Sequence, residues 1–187
     1  MELELWKKES IAFFLSITYL SLIFSFNQNY VFSFDLLLTS FLFSLLALGS
    51  KILIQRHICS RLNLKGVLKL WYPGIILGAF LAVFGIKLSL PSILDIKPFK
   101  FGRWGFKTSH MTHKEGALIS LAGLLPLFLL LLIFKYIIKN HFLFSLSSWI
   151  FFSNLLPLPK SDGSNILMWR FSAWVFILLA GVLTLIF

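Results

Sequence analysis

Long runs of apolar residues constrain this chain more than any other feature of its sequence. A helix needs about 20 mainly apolar residues to cross the hydrocarbon core of a bilayer, and several runs approach or exceed that length. The runs are Ser10–Phe26, Phe32–Ile54, Trp71–Leu90, Ala117–Ile138, Phe142–Pro157 and Met168–Phe187. The sequence therefore predicts an all-α integral membrane protein, a polytopic helical bundle with five to six membrane segments.

The charged residues support a membrane location. They make up 13% of the 187 residues, and apolar residues make up 58%, whereas about a quarter of a soluble domain is charged. The net charge is +10, and most of the basic residues lie between the apolar runs, which indicates contact with a membrane surface rather than with nucleic acid. The single cysteine, Cys59, excludes an intramolecular disulfide.

The chain is predicted to form one membrane domain, residues 1–187. No soluble domain or low-complexity segment separates the apolar runs. We interpret residues 1–31 as an uncleaved N-terminal anchor span, because no small-residue cleavage site follows the first run. Residues 32–187 form the core of the predicted bundle.

The third apolar run decides the predicted topology. If all six runs cross, the 17 lysine and arginine residues divide nine to one side and eight to the other. If Trp71–Leu90 enters and returns on the same side, fifteen lie on one side and only Lys135 and Lys139 on the other. Because cytoplasmic loops carry the excess of positive charge, five spans with a cytosolic N-terminus are favoured. The alternative is a full span in which small residues such as Gly74 and Gly78 pack against another helix.

Two segments between the runs carry further signals. Apolar and polar residues alternate from Phe99 to Lys107, which predicts a short strand-like loop at the membrane interface. Between the fifth and sixth runs, Pro157 and Pro159 end the arriving helix, because proline lacks a backbone donor and disfavours helical geometry in the residue before it. Asp162 then lies on a tight turn, where it either caps the helix starting near Ser164, pairs with a loop lysine, or serves a function.

Three motifs, in this order along the chain, resemble those of the site-2 proteases, which are zinc metalloproteases that cut within membranes. Residues 119–124 resemble the family's Ile-Ser-Leu-Ala-Gly-Pro element, with Leu124 in place of the proline. Asn154, Pro157, Asp162 and Gly163 resemble its Asn-x-x-Pro-x-x-x-x-Asp-Gly motif, and residues 166–174 resemble the helix that follows in archaeal members. The resemblance implies a site-2-protease-like bundle in which Asp162 is a zinc ligand and Asn154 helps to seat the substrate.

The family's first metal motif, His-Glu-x-x-His, has no counterpart in this sequence. Alignment on the basic residue Lys51 places Leu46 and Ser50 where the family has histidines, and Ala47 where it has the glutamate. Histidines at i and i+4 would bind zinc from one helical face, and the glutamate would act as general base. The whole run Phe32–Ile54 contains no histidine and no glutamate. The resemblance therefore implies a member that lacks the catalytic zinc site and holds no cofactor.

We expect a proteolytically inactive protein of a prokaryotic, archaeal-type cell membrane that acts as a binding or structural subunit in the lipid bilayer. Asn154, Pro157 and Pro159 are the candidate residues for binding a partner, which would be another membrane protein or a transmembrane segment. The alternative is an active intramembrane zinc metalloprotease with displaced ligands. The candidate ligands for that alternative are Asp162, His57, His110 and His113.

The favoured topology predicts that Lys65 and Lys100 face the same side of the membrane. In a Cys59→Ser background, a thiol reagent that does not cross membranes should label Lys65→Cys and Lys100→Cys from one side of sealed vesicles. A Lys139→Cys variant should be labelled from the other side. Labelling of positions 65 and 100 from opposite sides would show that Trp71–Leu90 crosses.

Overall fold

The computed structural model describes residues 2–26, 32–98 and 112–187. Within these ranges the chain forms seven α-helices and two short strands. They are α1 (Glu2–Ser25), α2 (Phe34–Arg61), β1 (Leu64–Leu70), α3 (Tyr72–Val83), β2 (Ser92–Pro98), α4 (His113–Leu132), α5 (His141–Leu155), α6 (Asp162–Trp169) and α7 (Phe171–Ile186). A π-helical turn, Ile133–Ile137, continues α4.

Within the described residues, three helical segments are long and apolar enough to cross a membrane: Lys7–Ser25, Phe34–Arg61 and His113–Ile137. The helices α3 and α7 are apolar but shorter. The predicted helical membrane protein is confirmed at this level, and the number of crossings stays a prediction.

The helix α4 lies at the centre of the described bundle. It packs against α2, α5 and α6, while α1 packs against the other side of α2. The core between them is built from fully buried side chains such as Leu127 of α4 and Phe151 of α5. Ala47 of α2 is also fully buried, and its small side chain permits the close helix approach that packing within a membrane requires.

The segment between the two strands, which contains α3, begins and ends at the same place in the structure. The last residue of β1, Leu70, pairs with the first residue of β2, Ser92, and the Trp71 N–H donates to the Pro91 carbonyl at 2.9 Å. The 12-residue α3 is about 18 Å long, shorter than the roughly 30 Å hydrocarbon core. This geometry is compatible with a Trp71–Leu90 segment that enters and leaves the membrane on the same side, which stays a prediction.

The two strands form an antiparallel pair, in register from Leu64↔Pro98 to Leu70↔Ser92. The two strands were not predicted from the sequence, because the adjacent buried residues Val67 and Leu68 interrupt the alternation of apolar and polar residues along β1. The strand predicted between Phe99 and Lys107 lies outside the described residues.

The helix boundaries correct two sequence-based expectations. The second apolar run was predicted to end at Ile54, but α2 continues to Arg61. The sixth run, Met168–Phe187, was predicted as one span, but the extended backbone of Arg170 (φ −152°, ψ 118°) separates α6 from α7. Hydropathy detects neither feature. A helix can continue past its apolar run into polar residues, and a single extended residue such as Arg170 leaves the apolar pattern on both sides unchanged.

Gly78 is required where α3 meets α1. A Cβ atom there would lie 2.2 Å from the Tyr19 hydroxyl oxygen and 2.8 Å from the Leu88 carbonyl oxygen.

We expect Gly78→Ala to lower the free energy of unfolding by about 1–3 kcal/mol through overpacking, measured by thermal unfolding in detergent. Tyr19→Phe should partly restore it. Gly49→Ala is the matched control, because a Cβ at Gly49 meets nothing within 4 Å; equal losses at both glycines would contradict this account.

Candidate functional site

The loop between α5 and α6 leads to Asp162, the acidic residue of the Asn-x-x-Pro-x-x-x-x-Asp-Gly motif. The helix α5 ends at Leu155, whose carbonyl accepts a hydrogen bond from Trp174 Nε1 at 2.9 Å. The Leu156 carbonyl accepts one from the Ser161 hydroxyl at 2.6 Å. These bonds satisfy carbonyl groups that the end of a helix leaves free, and they hold the loop against the start of α6.

Ser161, not Asp162, is the N-cap of α6, because its hydroxyl accepts from the Ser164 N–H at 3.1 Å. The predicted capping role of Asp162 is therefore wrong. Gly163 allows the close approach of the two helices, since a Cβ there would lie 2.0 Å from the Leu155 carbonyl oxygen. The Asp162 side chain, in the first turn of α6, is left to point towards α2.

Two residues of α2 bind the Asp162 carboxylate. Lys51 Nζ lies 2.7 Å from Oδ2, and Gln55 Nε2 donates to Oδ1 at 2.9 Å. Lys51 and Gln55 are four residues apart and so share one face of the helix. The expected partner was a loop lysine; the actual partner is a helical lysine that is 8% exposed.

Asn154 completes the cluster from the last turn of α5. Its Oδ1 accepts a hydrogen bond from Lys51 Nζ, and its Nδ2 donates to the Ile150 carbonyl at 2.7 Å. The residue is 2% exposed. The polar atoms of the Asn154 side chain are thus used within the chain and hold Lys51 in place; its predicted role in binding a partner stays a prediction.

The helix α4 makes room for this cluster. A Cβ at Gly123 would lie 2.2 Å from Gln55 Nε2, so only glycine lets the Gln55 side chain pass between the helices. Ser120, one turn earlier, accepts a hydrogen bond from Asn165 Nδ2 of α6 at 2.9 Å. The Ser-Leu-Ala-Gly portion of the sequence motif therefore positions α2 and α6 against α4.

A cavity of about 20 Å³ lies beside the cluster, enough for roughly one water molecule. Its wall includes residues of β2 together with the exposed Lys160. The lining residues are Lys51, Gln55, Leu90, Ser92, Ile93, Leu94, Ile96, Ile119, Asn154, Lys160, Ser161, Asp162 and Asn165.

The other residues predicted for the site lie away from Asp162. Leu46 is half exposed and Ala47 fully buried, and the Ser50 hydroxyl donates to the Ala47 carbonyl of its own helix at 3.1 Å. The residues of α2 that meet Asp162 are 51 and 55, five positions beyond the predicted pair 46 and 50. The signal that could have found them is a lysine inside the second apolar run and a glutamine four residues later, just past the end of the run.

The histidines do not gather around Asp162 in the described structure. His57 is exposed and accepts a hydrogen bond from Arg61 Nε at 3.1 Å, and His113 is exposed at the start of α4. His110 lies outside the described residues. Among the described residues, no group of three or more His, Cys, Asp or Glu side chains could hold a metal ion. Pro157 and Pro159 are exposed on the loop.

The chain is similar to a protein of the archaeon Methanocaldococcus jannaschii that bears the name "Putative zinc metalloprotease". The two are 29% identical over an alignment 188 residues long, and the alignment takes in 91% of this chain and 89% of the relative. No family model and no solved structure matches the chain. The similarity supports a relation to the metalloproteases.

The residues around Asp162 do not fit the zinc ion that this similarity implies. Zinc sites in proteins are built from Cys, His, Asp and Glu ligands. Here Asp162 is the only such residue in the cluster; the lysine ammonium has no lone pair to offer and the glutamine presents its N–H donor to the carboxylate. The arrangement balances a carboxylate with an internal cation, and among the described residues of the cluster only Asp162 is of a type that binds zinc.

The ion pair predicts a large and specific effect on stability. Lys51→Met leaves the Asp162 carboxylate buried without its cation, which should lower the free energy of unfolding by about 3–5 kcal/mol. Lys51→Met combined with Asp162→Asn should cost much less than the sum of the single changes, as a double-mutant cycle by thermal unfolding in detergent would show.

Lys160→Met is the matched control, because it removes an exposed lysine from the same cavity wall. Its effect should stay within about 0.5 kcal/mol. Equal losses at positions 51 and 160, or additive effects in the cycle, would contradict a stabilising role for the Lys51–Asp162 pair.

Proposed function

We propose that this protein is a proteolytically inactive, site-2-protease-like membrane protein that acts as a binding subunit for another membrane protein. The observation that carries the proposal is the pairing of Asp162 with Lys51 and Gln55. In a zinc protease of this kind the carboxylate would coordinate the metal, whereas here Gln55 donates a hydrogen bond to Oδ1 and the Lys51 ammonium forms an ion pair with Oδ2.

The surroundings of Asp162 also lack the other groups needed for hydrolysis. Metal-assisted peptide hydrolysis requires a metal-bound water and a general base beside it. The residue that follows Lys51 on α2 is Ile52, which is apolar and buried and so cannot act as a general base. The Asp162 carboxylate is itself paired with Lys51 and hydrogen-bonded by Gln55. Among the described residues lining the cavity, none is a second carboxylate or a histidine.

The proposed binding surface is the edge of β2 next to this cluster. In the described ranges β2 pairs only with β1, and its residues from Ile93 to Lys97 are half-buried or exposed. A strand edge offers backbone donors and acceptors that an extended peptide satisfies by strand addition.

The loop 156–160 shares the cavity wall with β2 through Lys160, and its Pro157 and Pro159 are exposed. Proline lacks a backbone donor, so this loop offers carbonyls and apolar ring surface. A partner segment would lie along β2 and across this loop, over the mouth of the cavity. Asn154 is linked through Lys51 to Asp162, which follows the loop, and in this proposal it makes no direct contact with the partner.

The alternative, an active zinc protease with displaced ligands, is favoured by the name of the archaeal relative. It requires His57, His110 or His113 to reach Asp162. His57 and His113 are exposed, His110 lies outside the described residues, and the carboxylate is already paired with Lys51. The inactive binding subunit therefore accounts for more of the described geometry.

Site-specific photocrosslinking in native membranes tests the binding surface. A photoreactive residue at Ile93 or Pro157 should give a crosslink to one discrete membrane protein, which mass spectrometry would identify. The same residue at Leu53, exposed on another face of α2, should crosslink only to lipid. A photoreactive residue placed in the identified partner should then crosslink back to β2.

Two results would count against the proposal. One is a pattern of crosslinks that is the same at Ile93 and Leu53, which would mean that the edge of β2 has no dedicated partner. The other is cleavage of the crosslinked partner by the wild-type protein but not by an Asp162→Asn variant, which would establish an enzyme.

A further inference from the structure

A cavity of about 730 Å³ lies where the end of α3 meets α1 and α5. Small-molecule sites in proteins have volumes of about 300–1,000 Å³, so this cavity is large enough for a ligand. Among the described residues, none lines both this cavity and the small one beside Asp162. The two cavities are therefore separate parts of the molecule.

The walls of this cavity are mainly apolar. The apolar side chains come from three helices and include Leu22 and Ile23 of α1, Ala82 and Val83 of α3, and Trp149 of α5. A buried water molecule needs several polar partners, which walls of this kind do not supply. They suit a hydrocarbon chain instead, because each of its carbon atoms gains contact with apolar side chains.

Lys87 brings a positive charge to these apolar walls. Its Nζ donates a hydrogen bond to the carbonyl of Phe26, just after α1, at 3.0 Å. The same Nζ lies 5.3 Å from the centre of the Phe24 ring. The carbonyl uses one of the three donors of an ammonium group, so the others are available to a ligand in the cavity.

The charge of Lys87 has no acidic partner among the described residues. The described part of the cavity wall contains no aspartate or glutamate either. A cation among the apolar helices of a membrane protein is costly, and such residues pair with an opposite charge or mark a ligand site. A ligand that fits this cavity should therefore be both apolar and negatively charged.

We propose that this cavity binds a negatively charged membrane phospholipid, with its phosphate paired to Lys87 and an acyl chain along the apolar walls. The Ser145 hydroxyl also lines the cavity and can donate to a phosphate oxygen. A zwitterionic lipid suits the site less well, because the cation of its own headgroup competes with Lys87 for the phosphate. This lipid site goes beyond the proposed function and does not depend on a partner at the edge of β2.

Native mass spectrometry of the delipidated protein in detergent tests the class of ligand. We expect phosphatidylglycerol to bind roughly 10- to 100-fold more tightly than phosphatidylcholine with the same acyl chains, the difference that one charged hydrogen bond makes. Glycerol phosphate, which has the charge but no acyl chain, should not bind measurably. Equal affinity for the two lipids, or binding of glycerol phosphate as tight as that of the lipid, would overturn the proposal.

Lys87→Met removes the charge and should lower the affinity for phosphatidylglycerol to about that for phosphatidylcholine, whereas Lys87→Arg should keep the preference. Lys135→Met is the matched control. Lys135 also donates to a backbone carbonyl, that of Thr184, and lies 5.5 Å from the centre of the Phe144 ring, but it does not line this cavity. Equal effects of Lys87→Met and Lys135→Met on lipid affinity would contradict a specific site at Lys87.

Ala82→Trp fills the cavity from α3 and leaves Lys87 in place, so it should weaken the binding of phosphatidylglycerol. This variant decides the question even if Lys87→Met fails to fold, because unchanged lipid binding in Ala82→Trp would overturn the site. Thermal unfolding in detergent gives a second readout. Phosphatidylglycerol should raise the unfolding midpoint of the wild type and of Lys87→Arg more than that of Ala82→Trp.

Photocrosslinking in native membranes separates this inference from the proposed function. A photoreactive residue at Val83, which is exposed and lines the cavity, should crosslink to phospholipid, while one at Ile93 should reach the partner protein. A protein crosslinked at Val83 would overturn the lipid site and leave the proposed function intact. Crosslinks to lipid alone at both positions would overturn the partner at β2 and leave the lipid site intact.

Discussion

A carboxylate enclosed by apolar helices has to be neutralised, and in this protein the ammonium of Lys51 does so. The Lys51–Asp162 pair joins α2 to α6, the hydrogen bond to Asn154 adds α5, and the packing of Gln55 against Gly123 adds α4. Four of the seven described helices thus meet at one charge pair. Because each partner would be left buried and uncompensated without the other, the relative positions of these helices are strongly coupled.

Close backbone approach makes this meeting possible. Lipid is as apolar as the side chains that face it, so helices in a membrane associate through tight packing and hydrogen bonds rather than through hydrophobic burial alone. Gly123 and Gly163 each lie where a single methyl group would collide with a neighbouring helix or loop. The polar cluster and the glycines are therefore parts of one arrangement: the glycines bring the helices together, and the charge pair holds them in register.

The archaeal relative shares 29% of its residues with this chain over nearly the whole length of both, and its name refers to zinc. Under the proposed function, the two proteins would share a helical body and differ in the charge at its centre. A metal ion must be acquired and held by several ligands at once, whereas a lysine is always present. Replacing one by the other would preserve the packing of α2, α5 and α6 while removing the means of activating water, and the body would remain available for binding.

Hydropathy and proline act locally along the chain, so the sequence alone predicted a helical membrane protein and the break between α5 and α6, and both are present in the structure. The number of membrane crossings, which rests on charge asymmetry, stays a prediction. The face of α2 that meets Asp162 is not the one chosen by alignment on a basic residue, which selected positions 46 and 50. The spacing of Ser40, Ser44, Lys51 and Gln55 places all four on one buried face of α2, and this polar periodicity carries the rotational phase that the alignment did not use. Only the tertiary structure could bring together Gln55 and Asp162, 107 residues apart, since a long-range pair is decided by the packing of α4 between their helices. The tertiary structure also buries Asn154 and bonds it to Lys51, whereas the sequence motif indicated only a residue of a binding cleft.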